Sequence, residues 1–125
     1  MKESILRDIS YQFAVRMVKL GKFLREEKQE YILSRQIVRS GTSIGANIEE
    51  ASGAQSVNDF IAKLHISLKE SRETHYWIRL LRDCEYIDSP QAESLLSDLQ
   101  HIIVLLTKSL KTAKENNAAK VKRAS

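Results

Sequence analysis

Very little in this chain would stop a helix. Its 125 residues hold only four glycines and one proline, whereas a sheet needs turn residues every few positions. Apolar residues recur three and four apart through most of the length, which is the spacing of one helix face. The fold predicted is all-α: an up-down-up-down four-helix bundle over residues 1–115, with a basic, disordered tail over 116–125. A single domain of this size builds its core without metal or disulfide staples.

The first helix is expected from about Ser4 to Glu27, with Ile5, Ile9, Phe13, Met17, Leu20 and Leu24 as its stripe and Leu6, Arg16 and Phe23 beside it. A charged link, Glu27 to Glu30, leads to a second helix from about Tyr31 to Ser52. Its stripe is Leu33, Ile37, Ile44, Ile48 and Ala51. Gly41 and Gly45 lie four apart on one side. Each glycine costs a helix about 1 kcal/mol relative to alanine, a cost that close approach of another helix would offset. Asn47, at the edge of the stripe, needs partners for its amide, and a neighbouring helix is expected to supply them.

Gly53 ends the second helix. Ser56-Val-Asn-Asp59 resembles a capping box and starts the third, which is expected to run to about Tyr86. Phe60, Leu64, Ser67, Ser71, Thr74, Ile78 and Leu81 make one stripe, small and hydroxylated in its middle. Ile66, Trp77, Leu80 and Cys84 make a second, bordered by Glu70 and Glu73. A helix in a lone bundle buries one face. Two apolar faces, one carrying a Trp, point to a subunit interface at Ile66, Glu70, Glu73, Trp77 and Leu80. The bland counterpart is a wide core face with Trp77 at its rim. Asp88-Ser89-Pro90 opens the fourth helix with Ser89 as N-cap. Its stripe is Ala92, Leu95, Leu99, Ile102, Leu106 and Leu110.

With 42% hydrophobic and 29% charged residues, the body is globular rather than disordered. No run of apolar residues reaches a membrane span, and the N-terminus lacks a signal-peptide pattern, so no membrane is expected and the location expected is cytoplasmic. The lone Cys84 fits a reducing compartment and reads as a small buried hydrophobe. The formal charge of +4 is unevenly placed: Lys108 to Ser125 carries six basic residues against Glu115, and the rest is nearly balanced. Lys108, Lys111, Lys114, Lys120, Lys122 and Arg123 form either a solubilising end or a nucleic-acid contact, with Lys19, Lys22 and Arg25 as a second patch.

The chemistry an enzyme needs is missing. A di-iron bundle requires Glu-x-x-His on two helices, and only Asp98-x-x-His101 comes near it. There is no H-E-x-x-H, no paired-Cys spacing and no Gly-rich phosphate loop. No catalytic residue, metal or cofactor is therefore expected. The acids Glu70 and Glu73 read as a solvated face or as salt-bridge partners, with Arg72, Arg79 and Arg82 on the same helix. Gly41 and Gly45 do not mark a helix-turn-helix, because the apolar stripe passes from Ile37 through Ile44 to Ile48 without a change of phase.

Ser43-Ile44, Asn47-Ile48-Glu49-Glu50, Asp59-Phe60, Glu73, Tyr76-Trp77 and Tyr86-Ile87 together resemble the hallmark pattern of the 23S ribosomal RNA intervening-sequence protein family. The resemblance spans about Tyr11 to Leu110. Gly45-Ala46 departs from it, since many members carry Pro and Ser there. The resemblance implies a four-helix bundle assembled as a ring-like homopentamer, with no catalytic residues. Similar proteins include accessory subunits of diversity-generating retroelements, which bind nucleic acid and a reverse transcriptase. The partners expected are therefore further copies of the chain, RNA or DNA, or another protein.

Overall fold

The computed structural model describes residues 2–124. They form four helices, α1 (Lys2–Lys28), α2 (Ile32–Ser52), α3 (Val57–Asp83) and α4 (Ser89–Ala124). Consecutive helices are antiparallel neighbours, and the bundle closes where α1 meets α4. The closest packing joins α2 to α1 and to α3, while α1 and α4 touch least. The core runs through the middle, from Leu6, Phe13, Met17 and Leu24 of α1 to Leu99, Ile102 and Leu106 of α4.

The α1 stripe differs from expectation at its start. Ile5 is 50% exposed, and Leu6 and Ser10 are buried instead. Counting back from Leu24 in alternating steps of three and four gives Leu20, Met17, Phe13, Ser10 and Leu6. Steps of four alone, through Ile9 and Ile5, drift off the face because a turn holds 3.6 residues. Ser10 hid the true register because it is polar. The helices meet closely here: a Cβ on Gly45 would stand 3.2 Å from the Ser10 carbonyl oxygen and 3.4 Å from its Oγ. Two further contacts continue the seam. A Cβ on Gly41 would run into Met17, 2.6 Å from Sδ, and one on Gly21 would overlap Val38. The α1–α2 interface is thus a zipper in which glycine on one helix faces a side chain or backbone on the other.

The α2–α3 seam is also narrow, but it is polar inside. Ser67 Oγ donates to the Ile44 carbonyl at 2.9 Å, and Thr74 Oγ1 and Ser40 Oγ share a hydrogen bond at 2.9 Å. Ser71 Oγ donates to its own helix at Ser67 O. These buried hydroxyls are all satisfied, as burial in a low-dielectric interior demands. Ser34 differs: its Oγ is fully buried without a hydrogen-bond partner. Ser34→Ala is accordingly expected to stabilise the protein by about 1 kcal/mol, the desolvation cost of an unmade bond, read as a rise in the denaturant midpoint.

The links after α1 and α3 turn without glycine. Gln29 enters the left-handed region (φ 50°), and the Glu30 N–H reaches back to Leu24 O at 2.9 Å. Glu85 does the same after α3 (φ 64°), with the Tyr86 N–H on Leu81 O at 2.9 Å, a wrap that closes a helix end. Ser56 caps α3, its Oγ accepting the Asp59 N–H at 3.1 Å. At α4 the cap is Asp88, not Ser89: Asp88 Oδ1 accepts the Gln91 N–H at 2.8 Å, and a carboxylate there also answers the positive end of the helix dipole.

The largest difference lies at the other end of α4. Residues 116–124, expected as a disordered tail, continue the helix to Ala124. No apolar period holds them, but alanine and lysine are good helix formers. Lys122 and Arg123 stand in the last turn, where cations favour the dipole.

Candidate functional site

Two surfaces bring together the side chains that could act on a partner. The first is the rim between α2 and α3. Ile66, Glu70, Glu73, Trp77 and Leu80 alternate by four and three and so share one stripe of α3. Ile66 is 41% exposed, Trp77 and Leu80 are half-buried, and Cys84, expected in the same buried stripe, is exposed. Cys84 is the C-cap residue of α3.

The acids of this stripe do not pair with their own helix. Arg39 of α2 bridges to Glu70 at 3.4 Å and to Glu73. Its guanidinium spans the seam and covers the middle of the stripe. Trp77 Nε1 donates to Glu73 Oε2 at 3.0 Å, so the indole N–H is satisfied while the ring stays partly open. Tyr76 stands edge-on to it, centroids 5.1 Å apart, and is itself exposed. Arg79 lies over the Tyr76 ring at 5.9 Å and donates from Nε to His75 Nδ1 at 3.0 Å. Burial, then the charges of Arg79 and Arg82, hold His75 below the ordinary histidine value of 6.5. The rim is therefore an aromatic ridge flanked by fixed charges, the composition that favours anchoring to another macromolecule.

Sequence reasoning placed the stripe but missed Arg39, and it read Tyr76 only as part of the family pattern. Tyr76 is adjacent to Trp77 in sequence and projects about 100° away from it, so it fell outside both stripes. Arg39 could have been found from its place one residue before Ser40, on the flank of the small-residue seam that α3 approaches.

Gly41 and Gly45 face α1, as described above. Asn47 does not reach a neighbouring helix. Its Nδ2 donates to Ser43 O, one turn back in α2, at 2.8 Å. The amide found its partner locally because a side chain at i can reach the carbonyl at i−4.

The second surface is the basic end of α4. Lys108, Lys111, Lys114, Lys120, Lys122 and Arg123 are all exposed. After Leu110 no described residue of α4 is buried. Ala113 and Asn117 are partly buried, and Asn117 Nδ2 donates to Asn58 Oδ1 in the first turn of α3 at 3.4 Å. Between the α2–α3 turn and α4 lies a groove of about 650 Å³, lined among others by Val57, Phe60, Thr112 and Lys120. The patch Lys19, Lys22 and Arg25 is exposed too, but it stands at the opposite end of the bundle, beyond Arg16, which holds Asp98 of α4 (2.5 Å). The structure keeps the two basic groups apart.

That ion pair also occupies the aspartate of the Asp98-x-x-His101 pair, which lines a shallow groove of about 230 Å³ with Asp8 and Phe13. Among the described residues, no three His, Cys, Asp or Glu side chains gather in a group able to hold a metal ion. Among the same residues, no helix is long and apolar enough to cross a membrane.

An antiparallel bundle with two glycine- and serine-lined seams defines the class: an all-α four-helix protein whose distinctive chemistry is on its surface. The family model of the 23S rRNA-intervening sequence protein matches residues 2–108, and the chain belongs to that family. Among solved structures, it is similar to a protein of unknown function from the S23 ribosomal protein family of Bacteroides thetaiotaomicron. The two share 53% identity over 89% of this chain and 99% of that one, with a TM-score of 0.88. No curated protein matches the chain. The family match ends at Lys108, so most of the basic end of α4 lies outside it.

Proposed function

We propose that the protein is a non-enzymatic, cytoplasmic scaffold, a homopentameric ring of four-helix bundles that contacts nucleic acid, RNA foremost, through its basic residues. The observation that carries this reading is the exposed set of six cations on a helix that continues past its own core. Apolar side chains left open on the α3 rim supply surface for association between copies. The pentamer number comes from the family resemblance. A ring multiplies every basic end fivefold, so weak single contacts would add up to avid binding.

Light scattering at low and high salt, with and without RNA, tests both halves. The expected result is a mass near five subunits that gains RNA at low salt and loses it as salt rises, because phosphate contacts release counterions. A monomer at all concentrations would refute the ring. RNA binding that ignores salt would refute contact through these cations.

A second reading is favoured by the Tyr76–Trp77 ridge. In it the protein is an interaction adaptor whose rim docks another protein, such as a reverse transcriptase, without touching nucleic acid.

A further inference from the structure

We infer that the end of α4, rather than the α1 patch, is the nucleic-acid contact, and that it takes a double-stranded segment. The inference rests on the nucleic-acid part of the reading above and assigns it a place and a partner form.

The first argument is geometric. α4 has 36 residues against 27, 21 and 27 in the other helices. At 1.5 Å per residue, the part after Leu110 adds roughly 20 Å of helix beyond the last buried residue. Its first half borders the groove beside the α2–α3 turn and is tied to the start of α3 by the Asn117–Asn58 hydrogen bond. From Ala118 onward every described residue is exposed, Val121 by 62%. The bundle thus presents a rod, anchored at its base.

The second argument is the placement of charge. Successive residues turn by about 100°. Lys111, Lys122 and Arg123 therefore lie within about 60° of Lys108, while Lys114 and Lys120 point about 120° to either side. A rod with cations on both flanks meets two phosphate strands at once, which is what the walls of a duplex groove offer. An α-helix about 10–12 Å across fits the B-form major groove. On A-form RNA the same rod would lie along the backbone of the shallow minor groove. A single strand offers one row of phosphates and is gripped by stacking on aromatic side chains. No Phe, Tyr or Trp follows Tyr86 in this chain.

The α1 patch lacks these features. Lys19, Lys22 and Arg25 are followed by Glu26 and Glu27, and the helix ends at Lys28 without projecting. Lys28 itself sits over the Phe23 ring at 5.8 Å.

The test uses the full chain and two triple variants, Lys120→Gln/Lys122→Gln/Arg123→Gln and Lys19→Gln/Lys22→Gln/Arg25→Gln. Glutamine keeps helix propensity while removing charge. Fluorescence anisotropy is read against a DNA duplex, an RNA duplex and a single strand of equal length, from about 50 to 200 mM salt. Both duplexes, or one of them, should bind at least about tenfold tighter than the single strand. The α4 variant should weaken that binding about tenfold or more and flatten its salt slope by about two to three, roughly one unit per lost phosphate contact. The α1 variant should stay within about threefold of the parent, as expected for distant screened charges. Which duplex binds better distinguishes the two sources of paired phosphates.

Equal or tighter single-strand binding would overturn the inference and leave the nucleic-acid reading standing. So would loss of binding in the α1 variant alone. Absence of binding to all three probes at low salt would overturn both.

Discussion

Gly41→Leu is expected to destabilise the bundle by about 3 kcal/mol or more, at the upper end for overpacked cores. A Cβ at this position would stand 3.1 Å from Met17 Cβ and closer still to the rest of that side chain. Met17 is completely buried, so it has no vacant space to enter. The gain in helix propensity, about 1 kcal/mol for replacing glycine, offsets only part of this. Denaturant unfolding would read the loss, and a second substitution identifies its cause. Met17→Ala alone removes core packing and should cost about 2–5 kcal/mol. Combined with Gly41→Leu, it should cost at least about 1 kcal/mol less than the sum, because the new side chain fills the space methionine leaves. Gly53→Ala is the control. A Cβ there meets nothing nearer than Glu50 O at 3.9 Å, and the change should stay within about 0.5 kcal/mol. Additive costs at positions 17 and 41 would show that the glycine is not there for close approach.

The same glycines show how the sequence could be read and where it could not. A costly residue repeated at helical spacing is a signal, and Gly41 with Gly45 points to a close neighbour from sequence alone. Which helix would be that neighbour was not legible. That depends on which of α2's two sides meets Met17 and Ser10 and which meets Ser67 and Thr74. Both sides are lined with small residues, and only the tertiary packing assigns them. The apolar stripes of α2 and α4 were legible because three-and-four spacing survives when most members are Leu or Ile, and that of α3 because Phe60, Leu64, Ile78 and Leu81 frame its hydroxylated middle. The α1 stripe failed at Ile5 because its true member, Ser10, is polar.

Polar partners were the least legible part of the site. Glu70 and Glu73 share their helix with Arg72, Arg79 and Arg82, but none of these stands three or four residues from either acid. Arg39 won because the serine- and threonine-lined seam brings α2 near enough for its guanidinium to span both acids. Asn47 shows the reverse case, a local carbonyl preferred over a distant helix. The end of α4 escaped for a different reason. The loss of an apolar face suggests disorder, yet Ala118, Ala119, Lys120 and Lys122 sustain a helix by propensity once a long folded helix has already nucleated it.

In the proposed ring, with the α3 rim between copies, Trp77→Ala is expected to cost about 2 kcal/mol or more per interface, the effect of removing an interface anchor, which raises the dissociation constant about thirtyfold. Light scattering should then show dissociation at concentrations where the parent stays assembled. The residue also lies against its own bundle and bonds Glu73, so the monomer must be followed too. Circular dichroism and denaturant unfolding serve that purpose. Trp77→Phe keeps an aromatic ring on the ridge and loses the indole N–H bond to Glu73 with part of the ring area. It should assemble more tightly than Trp77→Ala, because ring area carries more of an anchor's energy than one hydrogen bond at a partly exposed site. A protein that stays assembled but unfolds more easily would make Trp77 a rim residue of its own core. Assembly intact, with only a foreign protein released from the Tyr76–Trp77 ridge, would assign that surface to an adaptor. In that case copies of the chain must associate elsewhere, and the exposed Tyr11 and Val18 on the outer side of α1 become the next positions to change.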